Sequence, residues 1–290
     1  DVVLTPTKRS NTIILDRLSG KPIFKYRLRK APISKLPGEK TSKYQPDLEI
    51  PEPFGKNTFS EKDFWSFDNS ELKKIIKEYE NYNYGFYETY ELDRKNLQYS
   101  FNGGAEWMGA SVDHVHNIMY VSSNNILWEA YIEKISSKKK EPPSYYSTFK
   151  RALFEKKYPI SKPPWGTITA INLNNGKKIW QIPFGEYEEL KSQGIKRTGT
   201  ENFGGVTGTE GNLIFATGTL DKKFYVFNAN TGDELFSYKM PYIGSAPPTT
   251  YRINGKQYII VHSTGGKTLM QGYPNIVENG NMLIAFSIKD

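Results

Sequence analysis

The sequence predicts an all-β chain folded as a β-propeller, on three observations. A strand–turn–strand unit recurs three times, each copy carries an aromatic residue four places after its turn glycine, and short strands bounded by Gly, Asn and Pro fill most of the remainder. The clearest copy runs from Ala170 to Trp180. Ile171 and Leu173 alternate with polar neighbours as in a half-buried strand, Asn174-Asn175-Gly176 suits a tight turn, and Ile179-Trp180 begins the return strand. The pattern repeats at Val226 to Gly232 with Leu235-Phe236, and at Ile14 to Gly20 with Ile23-Phe24. Gly176 and Gly232 stand 56 residues apart. Multi-stranded repeats near the ~40–50 residues of a propeller blade favour blades over a sandwich. Each hairpin is then the outer edge of a blade, with Phe24, Trp180 and Phe236 docking between neighbours.

Composition bounds the function. The 290 residues carry a net charge of +8, but the excess is dispersed and only Lys138-Lys139-Lys140 forms a block, so no nucleic-acid groove is indicated. With no cysteine there is neither a disulfide framework nor a thiolate metal site. No apolar run reaches the roughly 18 residues that cross a bilayer, and the first residues lack the order of a secretory leader. The expectation is a soluble chain, or a processed piece of something larger.

Taken in order, Val2-Val3-Leu4 and Thr12 to Leu15 read as strands around a Thr5-Pro-Thr-Lys-Arg9 turn. The prolines at 32, 37, 46, 51 and 53 predict an excursion without regular structure, part of a surface segment spanning about 31–100. Within it Ser70 is placed as the cap of a short helical insertion whose face is Leu72, Ile75, Ile76 and Tyr79, packed on the propeller. Residues 82–99 read as coil. Gly103 and Gly104 allow close backbone approach, and Ser111 to Asp113 and Ile118 to Val121 read as blade strands. A second excursion occupies about 134–162, after which repeats run to Met282–Phe286, read as the opening strand of an incomplete blade.

Taken together, several stretches resemble the C-terminal half of the membrane-associated quinoprotein dehydrogenases of the glucose/quinate/shikimate type, which use pyrroloquinoline quinone (PQQ). They are Pro6-Thr-Lys-Arg9 with Leu15-Asp-Arg17, Pro37-Gly-Glu-Lys-Thr-Ser42 with Gln45-Pro46, and Gly103-Gly104 with Trp107. Pro163-Pro-Trp-Gly166, Gly185-Glu-Tyr187, Gly199-Thr-Glu-Asn-Phe-Gly-Gly205 and Ile253 to Tyr258 follow in order, so the resemblance covers nearly the whole chain. It departs at Tyr90 to Phe101, where the family shows a Thr-Pro-Pro-Ser-like run.

The resemblance implies half of an eight-bladed quinoprotein propeller, with PQQ and calcium on its axis. It also implies a periplasmic location, membrane association through an N-terminal part that this chain lacks, and electrons passed to ubiquinone. The catalytic aspartate, the calcium ligands and the tryptophan floor are expected upstream; Asp1 is not in the aspartate motif and is not the base. The implied partners are a second polypeptide carrying the N-terminal blades and a small-molecule alcohol, either a sugar, a polyol or a cyclic hydroxy acid.

The resemblance assigns Lys8 to the quinone carbonyls as a catalytic and cofactor-binding cation, because hydride arrival makes those oxygens negative; Arg9 is read as the surface member of the pair. Asn124 is assigned to the cofactor as an amide able to donate and accept, with Asn125 as an equal alternative. Asn202 and Phe203 are placed on the cofactor-facing segment. No metal ligand is assigned within the chain: His114 and His116 lack a third ligand and suit a turn, His262 stands alone, and Glu106-Trp107 reads as entrance or blade packing. Gly265-Gly266 lacks the strand-to-helix context of a dinucleotide loop. The alternative is a non-catalytic scaffold of PQQ-like propeller repeats that binds proteins through its face; a scaffold has no use for a cation on the axis.

Overall fold

The structure is a computed structural model, and it describes every residue except 100, 102, 106, 136–143, 266–272, 274–278 and 289–290. Strands β1 (Val2–Pro6) and β2 (Thr12–Asp16) pair antiparallel across a tight turn. Strands β3 (Arg27–Lys30) and β4 (Tyr44–Asp47) make a two-stranded ribbon inside the stretch expected to be irregular. Pro46 sits opposite Leu28 there, and a two-stranded ribbon has open edges on which a missing N–H is tolerated. Helix α1 (Asn69–Tyr79) is capped by Asp68, whose Oδ1 accepts from the Glu71 N–H at 2.8 Å, and not by Ser70.

β5 (Asn96–Tyr99) follows where coil was expected. β6 (Ala110–Asp113) and β7 (Ile118–Asn124) pair, and the chain then leaves through β8 (Leu127–Ile135), β9 (Ser144–Arg151) and the small hairpin β10 (Leu153–Phe154) with β11 (Tyr158–Pro159). It returns as β12 (Gly166–Asn172) and β13 (Lys178–Pro183), so β6-β7-β12-β13 form one four-stranded antiparallel blade. After α2 (Glu188–Ser192), β14 (Val206–Gly208), β15 (Leu213–Ala216), β16 (Lys223–Asn228) and β17 (Glu234–Lys239) form a second blade as an unbroken meander. β18 (Thr249–Ile253), β19 (Lys256–Gly265) and β20 (Asn279–Phe286) make a three-stranded sheet. Met282–Phe286 is therefore a third strand and not an opening one.

The hairpin unit has a local cause. In each copy an Asp or Asn stands four places before the glycine and folds the turn onto its own side chain. Asp16 Oδ1 accepts from the Ser19 N–H at 2.7 Å, Asn172 Oδ1 from Asn174 at 2.9 Å, and Asn228 Oδ1 from Asn230 at 2.9 Å. The glycine N–H then returns to that residue's carbonyl, as from Gly176 to Asn172 at 2.7 Å and from Gly232 to Asn228 at 2.8 Å. In the first copy the return strand shrinks to one bridge between Leu15 and Pro22.

The aromatic that follows docks on the next blade's turn. A Cβ on Gly176 would lie 3.5 Å from Phe24, and a Cβ on Gly232 would lie 3.0 Å from the Trp180 indole. Trp180 Nε1 also donates to the Ala229 carbonyl at 3.0 Å. Phe236, the third aromatic, remains 48% exposed. Behind β7 and β12, Phe184, Ile214, Tyr225 and Phe227 fill the space between the two complete blades together with Tyr120 and Ile168.

The two excursions build a core of their own and do not lie loosely on the surface. β5, β8 and β9 form one sheet, and Ile75 and Tyr79 of α1 join Leu97, Trp128, Phe154, Tyr158 and Trp165 in one cluster. Buried Glu129 ties them together by accepting from Tyr79 Oη and Tyr82 Oη, each at 2.9 Å.

Trp180→Ala removes an inter-blade contact and leaves the Ala229 carbonyl unbonded, and is expected to lower the unfolding free energy by about 2–4 kcal/mol. Phe236→Ala, at the same place in its hairpin, is expected to change the stability of this chain by no more than about 0.5 kcal/mol. Denaturant midpoints decide it; equal losses at both sites would contradict the docking.

Candidate functional site

A meander puts the link between its second and third strands at the same end as the link into the next blade. The β1–β2 turn, the exits from β7 and β15, and the entries to β6 and β14 therefore share one face. Lys8, Asn124 and Asn202 belong to these links, so the topology collects three distant sequence positions at one end of the sheets.

They are joined by a belt of cross-blade hydrogen bonds. The Gly104 N–H donates to the Lys8 carbonyl at 2.8 Å, and the Asn124 N–H donates to the Gly104 carbonyl at 2.9 Å. Gly104 permits this because a Cβ there would overlap Ser10 Oγ. Asn124 and Asn202 interlock: Asn124 Nδ2 donates to the Asn202 carbonyl at 2.8 Å, while Asn124 Oδ1 accepts from Asn202 N at 2.8 Å and Nδ2 at 3.0 Å. Asn202 Nδ2 also donates to the Ser123 carbonyl at 3.1 Å. Deeper in the face, Gly166 and Gly199 meet backbone to backbone, and a side chain on either would collide with the other strand.

Beside Asn202 lies a buried ion pair. Arg151 Nε donates to Glu201 Oε2 at 2.5 Å, with side chains 5% and 1% exposed, and the guanidinium packs over the rings of Trp128 at 4.5 Å and Tyr273 at 5.1 Å. The phenols of Tyr187 and Tyr273 close the same space. Burial pushes both far above the ordinary tyrosine range, and the Glu201 charge adds to it, so both remain protonated. Neither Glu201 nor Arg151 was singled out in the sequence, although Glu201 stands inside the Gly-Thr-Glu-Asn-Phe-Gly-Gly run.

The face separates the expected residues. Lys8 is exposed, its stem 3.5 Å from a Cβ position on Gly103, and no carboxylate among the described residues lies within 4.0 Å of its ammonium. Arg9, expected on the surface, is half-buried instead: Nη2 donates to the Asn57 carbonyl at 3.1 Å, the guanidinium lies 4.1 Å from the Tyr87 ring centroid, and burial holds its pKa below the usual value. Asn125 is spent on structure, accepting from Lys56 N at 2.7 Å and donating to the Pro164 carbonyl at 2.9 Å. That leaves Asn124 as the member of the pair tied to Asn202.

Phe203, expected toward the cofactor, is 2% exposed and packs with Ile243 and Tyr273, because an apolar ring at the entry to β14 is drawn into the inter-blade core. Trp107 is 91% exposed and packs no blade, while Glu106 lies outside the described residues. His116 sits in a turn with Nδ1 2.7 Å from Asp113 Oδ2. Ser10 and Thr12, beside Lys8, carry buried hydroxyls without a partner that the sequence did not flag.

Residues 1–259 match the family model described as "Glucose/ethanol/alcohol dehydrogenase, beta-propeller domain". The chain is similar to quinate/shikimate dehydrogenase (quinone) of Acinetobacter baylyi, 27% identical over 99% of this chain and 38% of the relative. It is likewise similar to the glycerol dehydrogenase large subunit of Gluconobacter thailandicus, 28% identical over 92% of this chain and 41% of the relative. The chain thus spans about two fifths of the length of these relatives. Among solved structures, quinohemoprotein alcohol dehydrogenase from Comamonas testosteroni superposes with a TM-score of 0.52 at 18% identity, covering 90% of this chain and 32% of that one. A europium-containing methanol dehydrogenase gives 0.51 at 17% identity, covering 95% and 42%. These likenesses establish the propeller fold.

Asn124→Ala is expected to cost about 1–3 kcal/mol, since it strands the buried backbone N–H and carbonyl of Asn202 together with its Nδ2; Asn202→Ala keeps the two backbone bonds to Asn124 and is expected to cost about 1 kcal/mol. The double variant is expected to cost less than the sum by about 0.5 kcal/mol or more in a double-mutant cycle. Strict additivity would mean that the two amides do not hold each other.

Proposed function

The chain belongs to the glucose/ethanol/alcohol dehydrogenase β-propeller family, and on that premise we propose that it is the C-terminal part of a PQQ-dependent oxidoreductase. The substrate is a sugar, a polyol or a cyclic hydroxy acid, and the electrons pass to ubiquinone. The supporting observation is the state of Lys8: an ammonium on the face where the blade links converge, with no carboxylate in reach to neutralise it. A scaffold that binds proteins gives no reason for a charge held in this way.

The residues fit an anionic quinone. Lys8 supplies the cation, exposed on that face. When bound, the quinone supplies a hydride acceptor for the alcohol carbon. Lys8 stabilises the negative charge that hydride arrival places on the adjacent oxygens. Asn124 and Asn202 are positioning residues, whose side chains lock the links so that the Lys8 turn is held through Gly104. Phe203 anchors the entry to β14 from inside the core.

The base, the calcium ligands and the remaining blades are placed in the part of the relatives that this chain does not cover, upstream or on a second polypeptide, in the periplasm. Calcium bound there would supply Lewis-acid chemistry. The isolated chain is therefore expected to bind calcium weakly, whereas the completed assembly binds it stoichiometrically. Calorimetry of both, with mass analysis of what co-purifies, checks this. Tight calcium binding by the isolated chain would move the ligands into it.

In the completed enzyme Lys8→Ala is expected to retain the cofactor and lose on the order of 10²–10³ in turnover. Lys8→Arg should recover only part, because a planar fork does not reproduce a point charge. Steady-state rates at saturating cofactor test this, and wild-type turnover in Lys8→Ala would return Lys8 to the status of a turn residue.

A further inference from the structure

The ribbon of β3 and β4 and its flanks carry nearly all of the chain's charge. Between residues 21 and 43 stand eight Lys and Arg against one acid, Glu39, a net +7 of the chain's +8, and all eight cations are exposed. In the sequence this excess looks dispersed because no more than two of the cations are adjacent; the fold gathers them. We infer that this ribbon is a docking surface for a membrane rich in anionic lipid headgroups. The inference stands apart from the quinone reading, and from any anchor in the part of the relatives that this chain does not cover.

The two faces of the ribbon differ. Successive side chains alternate across a strand, so Arg27 and Arg29 lie on one face and Leu28 and Lys30 on the other. Arg27 pairs with Asp47 at 2.9 Å and Arg29 packs over the Phe86 ring at 4.4 Å, so their face is turned toward the protein. The other face carries Leu28 opposite Pro46 and Lys30 opposite Tyr44, with Leu28 63% exposed and Tyr44 exposed beside it. The loop that joins the strands is braced, since Tyr145 Oη donates to the Pro37 carbonyl and the Ser34 N–H to Thr41 Oγ1, each at 2.9 Å. Ile33 is held there in solvent, 56% exposed.

Charge decides what is attracted. Among the described residues no carboxylate lies within 4.0 Å of Lys25, Lys30, Lys40 or Lys43, so these ammoniums act outward. The apolar side chains decide which anionic surface fits. A nucleic-acid backbone would pair with the lysines and leave Leu28 and Ile33 in water, whereas a bilayer offers anionic headgroups at one depth and acyl chains just below it. Tyr26 and Tyr44, both exposed, are of the type that settles at headgroup level. Cations on an open ribbon also deter strand pairing, but that task gives no reason for Leu28 and Ile33 to stand in water.

The test uses the chain with whatever polypeptide accompanies it, and vesicles either of phosphatidylglycerol with phosphatidylethanolamine or of phosphatidylcholine alone. The sequence has no cysteine, so Leu28→Cys carries a single environment-sensitive fluorophore, with Val115→Cys, exposed in the β6–β7 turn at the other end of the sheets, as control. The label at 28 is expected to shift to the blue on the anionic vesicles and not on phosphatidylcholine, and the label at 115 to shift on neither. Lys25→Gln, Lys30→Gln and Lys43→Gln together should weaken that response on the order of 10²-fold in lipid concentration, about fivefold for each cation. Salt at about 0.5 M should weaken it too. Because the label reports the ribbon itself, an anchor elsewhere in the assembly does not mimic the result. The inference is overturned if the label at 28 stays unshifted on anionic vesicles, if phosphatidylcholine shifts it equally, or if the triple variant responds as the unsubstituted ribbon does. A label that responds to oligothymidylate and not to vesicles would also overturn it, by giving the ribbon to nucleic acid.

Discussion

The arrangement of the whole face depends on the links of different blades meeting closely at glycines. Gly104 against Ser10 and Gly166 against Gly199 are contacts in which one added carbon would collide with the neighbouring link. Close approach alone does not set a register, because backbone surfaces can slide. The Asn124–Asn202 pair supplies the missing specificity: three directional bonds, from the Asn124 amide to the backbone N–H, the backbone carbonyl and the side chain of Asn202, are satisfied in one relative position of the links. Glycines thus set how near the blades come, and the amides set where they stop.

What was legible in the sequence was what is encoded locally. The hairpins announce themselves because the Asx residue, the glycine and the aromatic lie within nine positions, and each performs its task within the turn or on the next turn. β5 and the β8–β9 pair were not legible as part of a folded unit, since β5 finds its partner in β8, far along the chain, and their order depends on a shared core around Trp128 and Trp165, while β4 pairs with nearby β3 but is hidden by Pro46. Ser70 is as good a cap as Asp68 by composition; only the path of the chain decides which residue reaches the Glu71 N–H.

The same limit governed the site. Lys8 and Arg9 are adjacent cations in one turn, and no pattern says which side chain faces outward until residues 83–99 fold over one of them. Asn124 and Asn125 were indistinguishable for the same reason. Strand β7 ends between them, and one amide goes to the next blade while the other braces Lys56 and Pro164. An aromatic beside glycines, as at Phe203, fits a cofactor edge and an inter-blade core equally well by sequence; the structure adds that its ring is buried with Ile243 and Tyr273.

The chain treats its cations in two ways, and the difference bears on chemistry. Arg151 is buried with Glu201 and framed by rings, which neutralises it and leaves it a structural brace. Lys8 is held through its main chain, by the Gly104 N–H on its carbonyl, which sets where the side chain starts and leaves the ammonium exposed, with no carboxylate among the described residues within 4.0 Å. On the proposed reading, a cation left unpaired in this way keeps its charge for a group that becomes negative only during reaction, whereas a salt bridge would have cancelled it.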